Sequence, residues 1–305
     1  MQVEKQNTAP AGLIRDTTEL AVVVISLCNE PGLVDAVRSL RRQHPPPEIV
    51  VVNSGGGDPG TTLAASGIEV DLIDHPRPLY PGAARNLGVR ATRAPFIAFL
   101  AADCQAEPGW VAERVRRHRG GADAVASVVT NGTPGRASGS AAHLLLYARR
   151  MKSTPAGSRV HYGLSYARPL LERVGPFRED IRQGEDSELN HRLGRASRVE
   201  WAPRVQTAHR NSSGPWPLMR DQYARGRRSR LYRHLPMHTL LRVALVNRPL
   251  DGLRQARRTR EERRRLLWAA PLMVPASLAY ALGLIRLRLD PSWHAAVPAS
   301  PRPQR

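Results

Sequence analysis

A single carboxylate, Asp103, follows an apolar run at residues 96–100 that has the length of a buried strand. Ligands of open α/β sheets bind at the carboxyl ends of the strands. A carboxylate at such an end can hold a divalent cation on a diphosphate, because Mg²⁺ is commonly shared between one or two carboxylates and substrate phosphates. The chemistry predicted at Asp103 is therefore metal-assisted binding of a diphosphate.

A second segment with the chemistry of a phosphate site reads Gly82-Ala83-Ala84-Arg85-Asn86-Leu87-Gly88 and opens a predicted helix. A glycine lets the backbone approach a ligand, and a helix N-terminus favours phosphate. The guanidinium of Arg85 can neutralise diphosphate charge. The alternative is that the Arg-Asn pair only caps neighbouring loops, and we favour contact with a ligand.

Two adjacent acids, Glu185 and Asp186, follow Gly184 at the start of another predicted helix. A carboxylate in a cleft can act as a general base that removes a proton from an attacking hydroxyl. Acids at a helix N-terminus are also common without any such role, because the helix dipole favours negative charge there. Only the other segments of the sequence can decide between these two interpretations of Glu185 and Asp186.

Alternating strand and helix patterns must position these residues. The strands are predicted at residues 21–27, 48–52, 68–73, 95–100, 122–129, 161–166 and 199–205. The helices are predicted at residues 31–42, 82–92, 109–118, 141–151, 169–174, 184–193, 219–234 and 240–265. This alternation indicates an α/β fold with a doubly wound, mostly parallel sheet that carries helices on both faces.

The chain divides into a flexible leader, a large α/β domain and a basic C-terminal part. We place the leader at residues 1–19 and the domain at residues 20–215, with a nucleotide-binding half at 20–130 and an acceptor half at 131–215. A Gly- and Ser-rich loop is predicted at 131–140, arginine-rich helices with an apolar segment at 216–289, and a disordered tail at 290–305. Cys28 and Cys104 have no metal-ligand spacing and predict no disulfide.

Positive charge is concentrated near the C-terminus. The chain has 46 Lys and Arg against 26 Asp and Glu, and residues 220–265 alone hold 15 Arg, no Lys and 4 acids. Such a stretch suits phosphorylated substrates, anionic lipids or nucleic acid, or it forms a solvated helical face. We rank nucleic acid last, because aromatic residues are 5% of the chain and leave few stacking platforms.

Residues 266–285 form 20 consecutive positions without a formal charge, which is long enough to span a bilayer. Arginines flank both ends, so the positive-inside rule gives no orientation. Three interpretations stay open: a spanning helix, an interfacial or re-entrant segment, and a buried helical appendage. We favour association with a membrane.

The segments occur in the order found in family 2 glycosyltransferases, and the resemblance extends over residues 21–226. Ser26-Leu27-Cys28-Asn29-Glu30 resembles the family's Pro-x-Tyr-Asn-Glu, and the turn at residues 52–58 resembles its Val-Asp-x-Gly-Ser-x-Asp. Residues 82–88 match its Gly-x-x-x-Arg-Asn-x-Gly, and residues 184–186 match its Gly-Glu-Asp. The chain departs from the family at Ala101, which stands where the first acid of Asp-x-Asp is expected, at Asn53 and at Cys28.

This resemblance implies a GT-A type fold and a glycosyltransferase that moves a sugar, with inversion, from a nucleotide-sugar to an acceptor hydroxyl. It implies six donor-binding residues: Asn29, Glu30, Asn53, Arg85, Asn86 and Asp103. It implies Mg²⁺ or Mn²⁺ held by Asp103, and His209 could partly replace the acid missing at Ala101. Asp186 would be the base, and Glu185 would orient the acceptor or tune the base.

The resemblance favours a UDP-sugar donor. The membrane-like segment and the arginines suggest a lipid-linked or cell-surface glycan acceptor, and thus a place on the cytoplasmic face of the cell membrane, either peripheral or anchored through 266–285. Because the acid expected at Ala101 is missing, one alternative function stays open. The chain would then be a catalytically impaired relative of these enzymes that binds nucleotide and serves as a scaffold.

Overall fold

The structure is a computed structural model that describes residues 18–290 except 162, 195–196 and 230–234. Most of the predicted leader and all but one residue of the predicted tail lie outside the described residues, as does the predicted C-terminal end of the helix at 219–234.

Four parallel strands and the helices between them form the first half. The strands are β1 (Leu20–Leu27), β2 (Glu48–Ser54), β3 (Asp71–His75) and β4 (Phe96–Ala101). The helices are α1 (Leu33–Arg41), α2 (Pro59–Ala64) and α3 (Pro81–Ala91). The strands pair in the order β3-β2-β1-β4, so their carboxyl ends meet at one edge of the sheet.

The second half widens the same sheet. It contains β5 (Cys104–Ala106), α4 (Trp110–Arg119), β6 (Ala124–Asn131), α5 (Ala137–Tyr147), β7 (Ser165–Ala167), α6 (Arg168–Val174), α7 (Glu185–Arg192) and β8 (Val199–His209). The order becomes β3-β2-β1-β4-β7-β6-β8-β5, with β7 and β5 antiparallel to their neighbours. This is the mixed, mostly parallel α/β sheet that the sequence predicts.

Each face of the sheet has its own core. Val22 and Val24 of β1 point into a core that contains Leu33 and Trp110, whereas Val23 points to the opposite face, with Phe177. Consecutive residues of a buried strand alternate between faces, so a continuous apolar strand must be covered on both sides. The helices supply that cover, and they leave the carboxyl edge of the sheet open to ligands.

Helices follow the sheet and share a core with α5. They are α8 (Pro215–Arg228), α9 (Met237–Arg242), a π-helical turn (Val243–Asn247), α10 (Arg248–Ala256) and α11 (Arg260–Arg288). A third cluster joins Leu144 of α5 to Leu218, Ala256 and Met273 of these helices. Thus α5, in the predicted acceptor half, packs on the predicted C-terminal part.

Several predicted boundaries are wrong, including those of the helix predicted at 141–151, found at Ala137–Tyr147, and of the strand predicted at 161–166, found at Ser165–Ala167. The loop predicted at 131–140 is shorter, because β6 continues to Asn131 and α5 begins at Ala137. The third strand lies at Asp71–His75 rather than at 68–73, because the segment that pairs with β2 starts at Asp71. The single helix predicted at 240–265 is interrupted, because the side chain of Thr259 accepts a hydrogen bond from the Glu262 N–H and starts α11.

Candidate active site

The carboxyl edge of the sheet brings together most of the predicted site residues. β1 ends before Asn29 and Glu30, β2 carries Asn53, and β4 ends just before Asp103. β8 runs parallel to β6 and places His209 beside Asn131, while the antiparallel pairing of β5 with β8 sets Cys104 beside the same histidine. The register of β8 therefore determines which residue faces Asp103.

Asp103 and His209 face each other at this edge. Asp103 Oδ2 lies 3.3 Å from His209 Nε2, and the Cys104 thiol donates to Asp103 Oδ1 at 3.2 Å. The other ring nitrogen of His209 lies 3.0 Å from Asn211 Oδ1, which fixes the plane of the imidazole. The ring of Tyr147, the last residue of α5, packs 4.8 Å from the His209 ring between centroids.

The electrostatic surroundings keep the Asp103 carboxyl ionised. Burial raises the pKa of Asp103, but the hydrogen bond and charge of His209, the Cys104 thiol and the charge of Arg225 outweigh it, so that the pKa falls below its usual value. Burial and the nearby Asp103 charge raise the pKa of Cys104 well above its usual value, so this thiol stays protonated. Burial, and then the charge of Asp103, also raise the pKa of Glu30.

The donor set fits a divalent cation. The ligand atoms of Asp103, Cys104 and His209 all lie within 4.8 Å of one another. A carboxylate oxygen and an imidazole nitrogen can bind Mn²⁺, or Mg²⁺ less favourably, while a protonated thiol is a poor ligand for either ion. Asp103 and His209 would therefore hold the cation, and the thiol of Cys104 would orient the carboxylate.

Asn53 and Asn29 form a buried junction between the first two strands. Asn53 Oδ1 accepts from the Asn29 N–H at 3.0 Å, and Asn53 Nδ2 donates to Gly56 O at 3.0 Å and to Asp74 Oδ1 at 2.8 Å. Asn29 has a positive φ of 54°, which is uncommon for a residue other than glycine. Asn53 is fully buried, so its amide holds this turn rather than facing the open edge.

Arg85 and Glu185 form a buried ion pair between α3 and α7. The guanidinium of Arg85 lies over the rings of Phe99 and Phe177, 5.5 and 5.2 Å from their centroids, and its Nε is buried without a partner. Burial lowers the pKa of Arg85, but the charges of Glu185 and Asp186 raise it above its usual value. The structure therefore joins Arg85 to the Gly-Glu-Asp segment, where the sequence predicts a contact with the diphosphate.

Asp186 is half-buried beside this pair. Its Oδ1 accepts from the N–H of Ser187 at 2.7 Å, and its charge contributes to a raised pKa of the Tyr166 hydroxyl, after burial as the larger cause. Tyr166 OH donates to Asn190 Oδ1 at 2.9 Å, which anchors α7 to β7. Asp186 thus stands on a helix start that two buried contacts fix in place, as a positioned base requires.

Asn86 lies away from the open edge. It is buried, and its amide both donates to Phe177 O at 2.9 Å and accepts from the Phe177 N–H at 3.0 Å. Asn86 Nδ2 also donates to Glu179 Oε1 at 2.8 Å. The arrangement gives Asn86 the role of holding the 177–179 segment beneath α7, in place of the predicted contact with the donor.

Sequence reasoning missed two residues of the cluster around Asp103. Tyr147 carries no motif and comes from a segment predicted only as a helix. Cys104 was expected to be outside any metal-ligand group, because only sequence spacing was considered. The available signal was that Cys104 directly follows Asp103 in the chain. The antiparallel pairing of β5 with β8 then sets Cys104 beside His209.

Comparisons with known proteins agree with this geometry. Residues 22–168 match the family model of Glycosyl transferase family 2. A solved mannosyltransferase from Pyrobaculum calidifontis, in complex with GDP-Man and Mn²⁺, superposes with a TM-score of 0.57 at 15% identity, covering 88% of this chain and 87% of that chain. A solved structure of S. aureus TarS residues 1–349 gives a TM-score of 0.46 at 14% identity, covering 89% of this chain and 91% of that chain. No curated protein matches the chain.

The superposition on the Pyrobaculum enzyme shows a GT-A type fold. The strand order and the open carboxyl edge of the sheet agree with that fold. The matched residues 22–168 contain β1 to β4, the turn at Asp103 and the Gly82–Gly88 segment. We conclude that residues 22–168 form a domain of glycosyl transferase family 2 and that the chain is a glycosyltransferase.

Proposed function

We propose that the protein transfers a sugar from a nucleotide-sugar to a hydroxyl of a lipid-linked or cell-surface glycan, with inversion at the anomeric carbon. The observation that carries this proposal is the Asp103–His209 pair at the carboxyl edge of the sheet, with 3.3 Å between Asp103 Oδ2 and His209 Nε2. The pair offers a place for a cation, and Arg225 offers a second positive group, so that a diphosphate can bind beside Asp103 despite its charge.

On the donor side, Asp103 and His209 would hold Mg²⁺ or Mn²⁺, which when bound neutralises charge on a departing diphosphate. Arg225, whose guanidinium pairs with Asp221 at 2.7 Å, contributes a positive charge that lowers the pKa of Asp103. Asn29 and Glu30, which follow β1, would contact the base or ribose, and Asn53 shapes their turn because its Oδ1 accepts a hydrogen bond from the Asn29 N–H. The family resemblance favours a UDP-sugar, whereas the Pyrobaculum structure holds GDP-Man.

On the acceptor side, Asp186 would remove the proton from the attacking hydroxyl. Inverting transfer requires the base to lie on the face of the sugar opposite the leaving group, with a fixed position. The buried pair of Arg85 with Glu185 fixes the first turn of α7 from which Asp186 projects. Arg85 and Glu185 are therefore positioning residues in this proposal.

The proposed acceptor suggests a membrane location. α11 is long and apolar enough to cross a bilayer by length and composition. Together with the arginines of α8 to α11, this supports association with the cytoplasmic face of a membrane, where a phospholipid-linked acceptor would be presented.

Calorimetric titration with UDP and with GDP, each with and without Mn²⁺, tests the proposal. We expect micromolar, Mn²⁺-dependent binding of one nucleotide, and release of that nucleoside diphosphate when a matching donor and acceptor are supplied. Ala101 favours one other function, a nucleotide-binding scaffold without transfer. Nucleotide binding without release from any donor would support the scaffold, and the absence of binding by a folded sample would contradict both.

A further inference from the structure

One face of α11 is apolar along most of the helix and exposed. The residues on it follow spacings of three and four, so they share a single side of the helix. They are Leu267, Pro271, Val274, Leu278, Leu282, Ile285 and Leu289. Leu267 and the adjacent Trp268 are 77% and 75% exposed. We call these residues the α11 face; at 1.5 Å per residue it is about 33 Å long.

The opposite side of α11 is built into the protein. Ala269, Met273 and Ala276 pack in the core that α5, α8 and α10 also line. At Gly226 and Gly283 the backbones of α8 and α11 touch, since a Cβ on either glycine would lie 2.2 Å from a carbonyl oxygen of the other helix. A helix fixed in this way cannot be surrounded by lipid, so α11 does not cross the bilayer alone.

Arginines stand at both ends of the α11 face. Arg260, Arg263 and Arg264 are exposed at its N-terminal end, and Arg286 is exposed at its C-terminal end. Between Leu266 and Ile285 the sequence has no formal charge. An apolar face bordered by exposed arginines is the pattern of a helix that lies in the plane of an anionic membrane surface.

The neighbouring helix α8 carries a second exposed row of the same character. Trp216, Arg220, Tyr223 and Arg227 are exposed and occur at spacings of four, three and four, so they share one side of α8. Trp and Tyr are enriched at membrane–water interfaces because each combines an apolar ring with a polar group. α8 also supplies Arg225, which lies near Asp103.

We propose that the α11 face is a monotopic docking surface that inserts into the headgroup region of an anionic bilayer and holds the active site at the membrane. A second copy of the chain fits this face less well. The protein has a net charge of +20, and pairing two such faces would bring exposed arginines of both copies together. The proposal deepens the proposed function by naming the surface that reaches the acceptor, and its test does not depend on sugar transfer.

Flotation of the whole protein with vesicles tests the surface. We expect binding to phosphatidylcholine vesicles that contain phosphatidylglycerol, and weaker binding to phosphatidylcholine alone or at high salt. The double variant Leu278→Glu/Leu282→Glu should lower the partition coefficient by about tenfold or more, because two exposed leucines no longer enter the bilayer. The matched control Ala64→Glu/Ala65→Glu places the same two charges on exposed positions near the end of α2 and should bind as the unaltered protein does.

Nucleotide titration of the same variants separates this proposal from the proposed function. Loss of vesicle binding with unchanged nucleotide binding supports the docking surface. Equal vesicle binding by both double variants would overturn it. Light scattering that gives the mass of two chains for the unaltered protein and of one for Leu278→Glu/Leu282→Glu, with no flotation, would overturn it in favour of a dimer interface.

The depth of residue 278 distinguishes a docked helix from a spanning one. In the variant Leu278→Trp, a helix in the plane of the membrane places the new indole at the level of the headgroups and first acyl carbons. Because the protein has five tryptophans of its own, the increase in quenching of the variant over the unaltered protein reports residue 278, and this increase should be largest for lipids brominated near the glycerol. Strongest quenching by lipids brominated near the chain ends would place residue 278 at the bilayer centre and overturn the monotopic arrangement.

Discussion

Asp103 Oδ2 lies 3.3 Å from His209 Nε2, although the first residue belongs to the nucleotide-binding half and the second lies near the end of the acceptor half. The contact exists because β5 turns back after Asp103 and pairs with the last residues of β8. It gives this chain a carboxylate and an imidazole where its family uses two acids. A metal site here would therefore have less negative charge than an acidic pair and would depend on His209.

Removing His209 should weaken metal binding. We expect His209→Gln to lower the affinity for Mn²⁺, measured in the presence of the bound nucleoside diphosphate, by about tenfold or more, because an imidazole nitrogen is lost while the carboxylate remains. His191→Gln is the matched control, since His191 is exposed on α7. Equal Mn²⁺ affinities for the two variants would exclude His209 from the site.

Restoring the family's first acid should have the opposite effect. Ala101 is the last residue of β4 and is half-buried, two positions before Asp103. Ala101→Asp adds a carboxylate near Asp103, so Mn²⁺ affinity should rise about tenfold. Ala101→Asn has the same shape without the charge and should leave the affinity nearly unchanged. If Ala101→Asp has no effect, the turn is built differently from the family's.

The sequence predicts β1, β2 and β4 well because each contains a continuous apolar run, whereas β3 contains two acids and a histidine and was predicted at the wrong position. β1, for example, is predicted at 21–27 and found at Leu20–Leu27. The sequence predicts one helix at 240–265 and misses the break before α11. Thr259 and Glu262 form a Thr-x-x-Glu capping pattern, which is the local signal for a helix start at this position. The resemblance implies that His209 can join Asp103 at a metal, but local patterns do not give the contact between the two side chains, because it depends on a register shift between Ser127 and Val128.

The roles of the asparagines show the same limit. The motifs identify Asn53 and Asn86 as polar residues of segments that are predicted to bind the donor. Motifs do not reveal whether the side-chain amides are already hydrogen-bonded to other groups of the protein. In the structure the side chain of Asn53 accepts a hydrogen bond from the Asn29 N–H, and the side chain of Asn86 accepts one from the Phe177 N–H.

Breaking the Arg85–Glu185 pair should cost stability. Glu185→Gln leaves the buried Arg85 without its counter-charge, so we expect a loss of about 3 kcal/mol in the free energy of unfolding. Arg85→Met/Glu185→Leu removes both charges and should lose less, because no buried ion remains unpaired. Urea unfolding followed by circular dichroism measures both. A double variant less stable than Glu185→Gln would show that the pair has another role.

Asp186→Asn should separate chemistry from binding. The amide keeps the shape of the side chain and its hydrogen bond with the Ser187 N–H, but it cannot accept a proton from the acceptor hydroxyl. We expect transfer to fall by at least about a hundredfold, with nucleotide affinity unchanged within a factor of two. The matched control is Asp180→Asn, because Asp180 pairs with Arg178 at the protein surface. Transfer by Asp186→Asn at the control's rate would reject Asp186 as the base.

The buried histidine of α5 should make stability depend on pH. His143 is 2% exposed, its Nδ1 has no hydrogen-bond partner, and burial lowers its pKa from 6.5 to about 3. The unfolded chain therefore takes up a proton below about pH 6.5 that the folded chain refuses, and stability falls as the pH drops toward 3. Between pH 6.5 and pH 5 this one group costs about 2 kcal/mol. In His143→Leu that part of the pH dependence should vanish, while the exposed His191→Leu should keep the full slope. Identical pH profiles of the unfolding free energy for the two variants would mean that His143 is accessible to protons in the folded protein.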